Sequence, residues 1–145
     1  MSVTKDLEIH ECDLCVVGTG LAGLNALYVA SKYLSKKEKV IVIDKRKATG
    51  GMWNSTYNHV RLHQPHKLFT AGNIAWKLNK PAAHLASRTE ILDQFDNCWQ
   101  QLNKNLNITH LAGLSYESHE ETQQEDGSYT AKAQFSSSDD ESKKV

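Results

Sequence analysis

Short apolar runs alternate with stretches of helical periodicity along the first third of the chain. Residues 12–17 form an apolar run that ends at Gly18 and predicts a buried strand, and the continuously apolar residues 40–43 predict a second strand. Between them, apolar side chains recur at helical spacing and predict a helix over 21–35. This order predicts a β-α-β unit with two parallel strands.

The segment 45–80 follows neither periodicity. It contains several aromatic side chains, which argue against disorder. A loop of this length inside a compact domain usually has a function. We therefore expect a long functional loop with one or two short helical turns.

The last part of the chain returns to regular patterns. A Ser-Arg-Thr-Glu capping box at 87–90 opens a predicted helix that extends to about residue 104, and residues 108–111 predict a third parallel strand. Two alternating segments, 114–119 and 129–135, flank an Asp-Gly pair that is typical of a tight hairpin turn. The whole pattern predicts an α/β fold.

These segments also predict the domain organisation. The chain has 145 residues, of which 39% are hydrophobic, and this suits one ordinary globular domain. We expect an N-terminal extension over 1–11, one domain over 12–135 and a polar, disordered tail over 136–145.

Net charge and hydropathy exclude some partners. The formal net charge is zero, so the composition gives no reason to expect nucleic acid. No apolar stretch approaches the roughly 20 residues that span a bilayer, and the charged N-terminus does not resemble a secretory signal. We expect a cytoplasmic protein that binds neither nucleic acid nor a membrane.

Cysteines and histidines offer weaker candidates for chemistry. Cys12 and Cys15 form a C-x-x-C pair, but side chains three positions apart on a strand point to opposite faces, which argues against a redox pair. The spacing of His59, His63 and His66 is compatible with a metal ion, but the cluster lacks Cys or acidic partners. We predict no metal site.

The strongest motif lies between the first predicted strand and the first predicted helix. Gly18, Gly20 and Gly23 form a G-x-G-x-x-G sequence, in which the glycines allow a tight turn, a close approach of a diphosphate and close packing of the helix. Phosphates bind the free N–H groups at such a helix N-terminus. Asp44, at the end of the second strand, can accept hydrogen bonds from a ribose. The sequence therefore predicts a dinucleotide-binding site.

The residues after the second strand favour one dinucleotide. Residues 44–53 have the sequence Asp-Lys-Arg-Lys-Ala-Thr-Gly-Gly-Met-Trp. It resembles the acid-x-Arg-x-x-x-Gly-Gly-x-Trp pattern of flavoproteins with two dinucleotide-binding folds. With Tyr57 and residues 61–63, it looks like the flavin-containing and Baeyer–Villiger monooxygenases. The resemblance implies a Rossmann-like FAD-binding fold, with a parallel sheet, flanking helices and a C-terminal β-hairpin.

The resemblance also implies which residues contact FAD. The glycine turn would face the diphosphate, Asp44 would hold the adenosine ribose, and the second glycine pair would lie along the diphosphate and the ribityl chain. A backbone contact near the start of the hairpin would meet the adenine. The implied cofactor-binding residues are Gly18, Gly20, Leu21, Ala22, Gly23, Asp44, Lys45, Arg46, Gly51, Met52, Trp53, Arg61, Leu62, His63 and Leu114.

One residue is a candidate for a catalytic role. Residues 61–64 fall where members of the family reach the isoalloxazine ring. An amide side chain there can hydrogen-bond a C4a-(hydro)peroxyflavin, and this makes Gln64 the candidate.

The chain departs from the family in two ways. The family more often has Glu in place of Asp44, although Asp keeps both acceptor oxygens. The family also has a second G-x-G-x-x-G motif, for NADPH, and a closing segment that supplies the last strand of the FAD domain. We therefore expect an incomplete FAD-binding domain with strand order 3-2-1, in which residues 12–17 form an exposed sheet edge.

Three hypotheses for function follow. The first is the FAD-binding portion of an FAD- and NADPH-dependent monooxygenase, an oxidoreductase that is inactive without its NADPH-binding domain. The second is a non-catalytic dinucleotide-binding or interaction fragment, which pairs with a complementary chain or a second copy through the exposed edge. The third is an NAD-binding domain, which the second glycine pair makes less favoured.

Overall fold

In the computed structural model, residues 8–137 form a three-stranded parallel sheet and a separate two-stranded hairpin. The structure describes residues 8–137. The strands are β1 Leu14–Val17, β2 Lys39–Asp44, β3 Asn107–Ala112, β4 Leu114–Gln123 and β5 Tyr129–Ser137, and the helices are α1 Leu21–Ala30 and α2 Arg88–Asn105.

The strand order confirms the expected arrangement. β2 lies between β1 and β3 and pairs in parallel with both, so that Val40 stands beside Leu14 on one side and Ile108 on the other. All six residues of β2 except Lys39 are buried, as the continuously apolar run predicts. The α/β fold with a parallel sheet, flanking helices and a hairpin is confirmed.

The hydrophobic core lies between the sheet and the two helices. Val40 and Val42 of β2 share one buried cluster with Leu24 and Leu27 of α1 and with Phe95 of α2. Each of these five side chains is fully or almost fully buried. Because burial of such side chains is the main favourable term in folding, this layer anchors the turn that connects β1 to α1.

The prediction of a buried first strand is wrong. Of the four residues of β1, only Val16 is buried, because the strand lies at the sheet edge and only one of its faces meets the core. Cys12 precedes the strand, so strand geometry does not separate it from Cys15. Partial burial, followed by the nearby Cys12, raises the pKa of the Cys15 thiol, which disfavours the reactive thiolate.

The first helix is shorter than predicted. α1 ends at Ala30 rather than at residue 35. After Ser31, the N–H groups of Lys32 and Tyr33 bond three residues back, to the carbonyls of Val29 and Ala30. Such i→i+3 bonds tighten the last turn of a helix. Tyr33, which continues the apolar spacing of the sequence, is 84% exposed.

The second helix follows its prediction closely. Ser87 caps α2, with its hydroxyl accepting from the Glu90 N–H, while the Glu90 carboxylate accepts from the Ser87 N–H at 2.7 Å. This is the predicted capping box, and it fixes the first turn of the helix. Ile91, Phe95 and Leu102 form its buried stripe.

The long loop and the hairpin complete the described part of the chain. The loop over 45–80 contains two 3₁₀ turns, Gly51–Asn54 and His66–Leu68, as expected. β5 extends to Ser137, so residues 136 and 137 belong to the hairpin and not to the predicted tail. Most of the predicted N-terminal extension, residues 1–7, and the rest of the tail, residues 138–145, lie outside the described residues.

Candidate functional site

A cleft of about 450 Å³ opens at the carboxyl end of the parallel sheet. Ligands of open α/β sheets bind at this end, where the turns after the strands meet. Three parts of the chain form its walls: the glycine turn after β1, the residues that follow β2, and the first residues of β4. The lining residues are Val17, Gly18, Thr19, Gly20, Asp44, Lys45, Arg46, Gly51, Leu114, Ser115 and Tyr116.

The glycine turn is held by very close packing. Gly18 has a φ of +96°, a conformation that side-chain-bearing residues rarely adopt. A Cβ on Gly23 would lie 1.9 Å from the Gly18 carbonyl oxygen, so only glycine fits there. Three of the expected cofactor residues do not line the cleft: Gly23 is buried behind the turn, Leu21 is half-buried and Ala22 is exposed.

The two glycine motifs, 31 positions apart in sequence, meet across the cleft. The Gly50 N–H donates to the Thr19 carbonyl at 3.1 Å, and this bond brings the second glycine pair onto the first turn. A Cβ on Gly51 would lie 2.8 Å from the Gly20 Cα. Both Gly20 and Gly51 line the cleft, and neither presents a side chain to it.

Asp44 lines the cleft, although only 4% of its surface is exposed. Its Oδ2 accepts hydrogen bonds from the N–H and the hydroxyl of Thr19, and its Oδ1 accepts from the Arg46 N–H at 2.8 Å. The carboxylate thereby joins the glycine turn to the end of β2. Burial lowers the pKa of the neighbouring His110, and the negative charge of Asp44 partly offsets this.

Two basic residues continue the wall beyond Asp44. Lys45 is exposed and Arg46 is half-buried, and both line the cleft. The Arg46 guanidinium donates to the Ser55 hydroxyl at 2.9 Å, which ties it to the end of the first 3₁₀ turn. These cations give the cleft a positive side that suits phosphates.

Other expected cofactor residues lie outside the cleft. Met52 is exposed, and the indole of Trp53 packs into the core edge-on to Phe69, with ring centroids 5.8 Å apart. Leu62 is buried in the core, while Arg61 is exposed and donates to the Leu85 carbonyl at 3.1 Å. Neither Arg61 nor Leu62 is among the residues that line the cleft.

The catalytic candidate does not line the cleft either. Gln64 and its neighbour His63 are exposed on the long loop, and neither lines the cleft. The three histidines of the loop do not meet, since His66 is buried against Trp76 while His59 and His63 are exposed. Within residues 8–137, no group of three or more potential ligands is arranged to hold a metal ion.

Arg88 connects two parts of the chain near the cleft, although no motif in the sequence indicates this role. Its guanidinium donates to the carbonyls of Trp53 at 2.7 Å and Asn54 at 2.8 Å, and to the Asn58 side chain at 3.2 Å. These bonds fasten the first 3₁₀ turn, which carries Gly51, to the start of α2. No sequence signal identifies a contact across 35 positions.

The start of α2 is stabilised by a second polar group. The Glu90 carboxylate lies 2.9 Å from Nε2 of His84 and also accepts from the Ser87 N–H. Burial alone would raise the pKa of Glu90, but the Ser87 N–H and the His84 imidazole outweigh it and lower the pKa to about 2. Glu90 is therefore charged across the physiological range.

The wall formed by β4 includes two residues that the sequence does not predict. Leu114 lines the cleft as expected, and Ser115 and Tyr116 extend this wall. The Gly113 N–H donates to the Asp44 carbonyl at 2.7 Å, which places the start of β4 directly beyond the end of β2.

A comparison of sequences identifies the family of the chain. The profile of the NAD(P)-binding Rossmann-like domain matches residues 16–89, which include both glycine motifs and Asp44. The chain belongs to this family. Among curated proteins, none matches it in sequence.

Solved structures share the fold of this Rossmann-like domain. A flavin-containing monooxygenase from Stenotrophomonas maltophilia is 18% identical over 83% of the chain, with a TM-score of 0.58. OTEMO, in a complex with FAD and NADP, is 18% identical over 77% of the chain, with a TM-score of 0.57. A bacillithiol disulfide reductase from Staphylococcus aureus is 12% identical over 86%, with a TM-score of 0.64.

The likeness covers only part of each neighbour. The chain spans 36% of the Stenotrophomonas enzyme, 21% of OTEMO and 34% of the reductase. The domain is therefore a nucleotide-binding unit with the fold that flavin monooxygenases share. In residues 8–137, no helix has the length and apolarity needed to cross a membrane.

Proposed function

We propose that this Rossmann-like domain binds FAD as the flavin-binding portion of a monooxygenase. The approach of Gly51 to Gly20 carries the proposal, because it leaves a side-chain-free cradle at the N-terminus of α1. An NAD-binding fold needs only the first glycine turn, so the second glycine pair beside it favours FAD over NAD. The similar fold of OTEMO, which was solved in a complex with FAD and NADP, supports this choice.

The residues of the cleft fit the groups of FAD in order. The N–H groups at the N-terminus of α1 suit the diphosphate. The Asp44 carboxylate has about four acceptor sites, and three protein donors use three of them, which leaves one for a ribose hydroxyl. When bound, the flavin supplies the redox chemistry, while the protein holds and orients the cofactor.

The activity of the whole protein is a second and more specific proposal. We infer an FAD- and NADPH-dependent monooxygenase, in which NADPH binds a part of the protein outside this domain. Among the expected flavin-side residues, Gly51 lines the cleft, and Met52, Arg61, His63 and Gln64 lie on exposed loop surface. Their proposed contacts with the flavin need the loop or a further part of the protein to close over the ring.

A dinucleotide-binding domain that pairs with another chain is the second candidate. The exposed edge strand favours it: Cys15 is exposed and the side chain of Val17 is 54% exposed beside the cleft. An edge strand with free backbone groups is a template for a further strand. If this candidate is right, the chain self-associates or captures a complementary strand, and the variant Val17→Lys reduces that association in sedimentation experiments.

The test of FAD binding is an absorbance spectrum of the purified chain, with the released cofactor identified by chromatography. We expect a flavin spectrum, or uptake of added FAD with saturation. Gly20→Ala places a methyl group in the cradle without a steric clash, since its Cβ lies 3.5 Å from the Gly51 Cα, and should weaken FAD binding about tenfold. Ala26→Ser, on the exposed face of the same helix, is the control and should bind as the parent does.

Two results would contradict the proposal. A folded chain that takes up no FAD is inconsistent with a flavin site. A folded chain that binds NAD(P) but not FAD would instead support the NAD-binding interpretation. NADPH consumption in the presence of bound FAD would extend the proposal from binding to turnover.

A further inference from the structure

Tyr116 lies beside the position that the base of a bound dinucleotide would occupy. If the diphosphate occupies the N-terminus of α1 and Asp44 holds the ribose, the next group of the ligand lies beyond Asp44. The Gly113 N–H···O=C bond to Asp44 places the first residues of β4 at that point. Leu114 and Tyr116 are both in the cleft wall there.

The tyrosine ring is held in place although it is 45% exposed. Its hydroxyl shares a hydrogen bond of 2.6 Å with Nδ1 of His119. Its ring meets Phe135 edge-on, with centroids 5.9 Å apart and planes at 72°. Nε2 of His119 in turn lies 4.0 Å from the Glu121 carboxylate. A rigid aromatic surface that stays partly open to solvent is preorganised for a flat ligand.

A β-bulge explains how Tyr116 and His119 meet. On a regular strand, residues three positions apart point to opposite faces and cannot bond. Here Tyr116 pairs with Phe135, and Ser118 pairs with the next residue, Gln134, so Glu117 is an extra residue in β4. The extra residue brings Tyr116 and His119 to one face. Bulges of this kind redirect side chains and occur often beside functional sites.

We propose that Tyr116, held by His119 and Phe135, is the aromatic surface on which the adenine base of the dinucleotide stacks. This inference rests on the proposed nucleotide site, but it needs only an adenine nucleotide and not FAD in particular. Every base has a π-face, so an exposed aromatic ring can supply affinity for a base without base-specific hydrogen bonds. The tyrosine therefore contributes to recognition of the adenosine half and not of the flavin half.

The experiment measures the Kd of FAD, ADP-ribose and FMN for the parent chain and for Tyr116→Ala. FMN lacks the adenosine half of FAD and so reports only on flavin contacts. We expect the Kd of FAD and ADP-ribose to rise about tenfold in the variant, as typical base–aromatic stacking implies. Affinity for FMN should stay unchanged. Tyr129→Ala is the matched control, because Tyr129 lies on the same hairpin, is 65% exposed and is not in the cleft wall.

Further variants separate stacking from a general effect on the hairpin. Tyr116→Phe keeps the ring and loses the bond to His119, so its Kd should rise less than about threefold. His119→Ala removes the same bond, and the double variant should be no weaker than either single variant. Tyr116→Leu keeps apolar bulk without an aromatic ring, and should bind adenine nucleotides as weakly as the alanine variant.

The outcomes distinguish this inference from the proposed function. If the parent chain binds FAD and Tyr116→Ala binds it equally well, the stacking role is wrong and the flavin site stands. An equal loss of FMN affinity would place the flavin, rather than adenine, against Tyr116 and would overturn the inference. If the parent binds ADP-ribose but not FAD, the proposed function fails while the role of Tyr116 is still measured. A folded parent that binds none of the three overturns both.

Discussion

The two walls of the cleft are held in opposite ways. The wall formed by the glycine turn and the end of β2 belongs to the core, since Gly23 and Asp44 are buried and β2 is covered along its length. The wall formed by β4 belongs to a hairpin in which Phe135 is the one half-buried residue of β5. The first wall is coupled to the stability of the whole domain, whereas the second can change with little cost to the fold. Substitutions in the two walls should therefore separate stability from binding.

The largest effect is expected at the buried wall. Gly23→Ala would place a methyl group 1.9 Å from the Gly18 carbonyl oxygen, and α1 can make room only by moving away from β1. We expect a loss of more than about 4 kcal/mol in the free energy of unfolding, the range that marks severe steric changes in a core. Urea unfolding followed by circular dichroism measures it.

A control on the same motif makes this prediction specific. Gly20→Ala meets no atom closer than 3.5 Å and should unfold close to the parent midpoint. Equal destabilisation by the two variants would contradict the distinction between a glycine needed for packing and a glycine needed for ligand approach.

The next largest effect is expected at Asp44. In Asp44→Asn, one acceptor oxygen becomes an NH₂ group that faces the N–H of Thr19 or of Arg46, and a buried donor is left unsatisfied. We expect a loss of about 3 kcal/mol in the free energy of unfolding, as is usual for a buried charged acceptor. The unfolding midpoint in urea measures the loss.

Asp13 supplies the matched carboxylate. It accepts from the Lys39 N–H at 2.7 Å at the opposite end of the same strand pair, but this bond is exposed. Asp13→Asn should cost less than about 1 kcal/mol. A similar loss in both variants would show that burial does not set the strength of these bonds.

The contrast between buried and exposed parts of the molecule also explains which features the sequence predicts. β2 and the 87–90 capping box depend on local patterns, namely a continuous apolar run and a fixed spacing, and the structure confirms both. The end of α1 is wrong because the apolar spacing continues to Tyr33, although no core remains for that side chain to enter. Pattern alone cannot tell where a neighbouring element stops covering a helix.

The composition of the site is predicted less completely. Gly18, Gly20, Asp44 and Leu114 are predicted from a motif and a resemblance, and all four line the cleft. Leu62 lies in the core because residues 61–64 pass beside α2, where the Leu62 N–H bonds to the Ala86 carbonyl.

Two organising residues are missed because distant contacts define them. Arg88 acts across 35 positions, through its bond to the Trp53 carbonyl. The orientation of the Tyr116 side chain depends on an extra residue in β4, which no local sequence pattern predicts.

A smaller, pH-dependent effect should appear at the start of α2, which belongs to neither wall but anchors the loop that carries Gly51. Glu90 has a pKa of about 2 in the folded chain, against an ordinary value of 4.5. Its contribution to stability is therefore complete above about pH 4.5 and is lost as the pH falls towards 2. The side chain is 20% exposed, so solvent screening reduces this contribution to at most about 2 kcal/mol. Unfolding by urea between pH 2 and 6 should show this slope.

Glu90→Gln should remove that slope and lower stability mainly above pH 4.5. Asp93→Asn, on the exposed face of the same helix, is the control and should leave the slope intact. If the acid sensitivity of the parent persists in Glu90→Gln, another carboxylate is responsible for it.

The smallest effect is expected in the hairpin, from the same type of substitution that is most harmful in the buried wall. Gly127 has a φ of +84° in the turn between β4 and β5, and an added Cβ would meet no atom within 4 Å. Gly127→Ala therefore costs only backbone strain, about 1 kcal/mol. Because the hairpin tip has no buried side chains, this strain should be released by local opening, with faster amide exchange at residues 117–134 and an unchanged urea midpoint for the sheet. A midpoint that falls by the full cost would mean that the hairpin unfolds together with β2, and the two walls of the cleft would then form one cooperative unit.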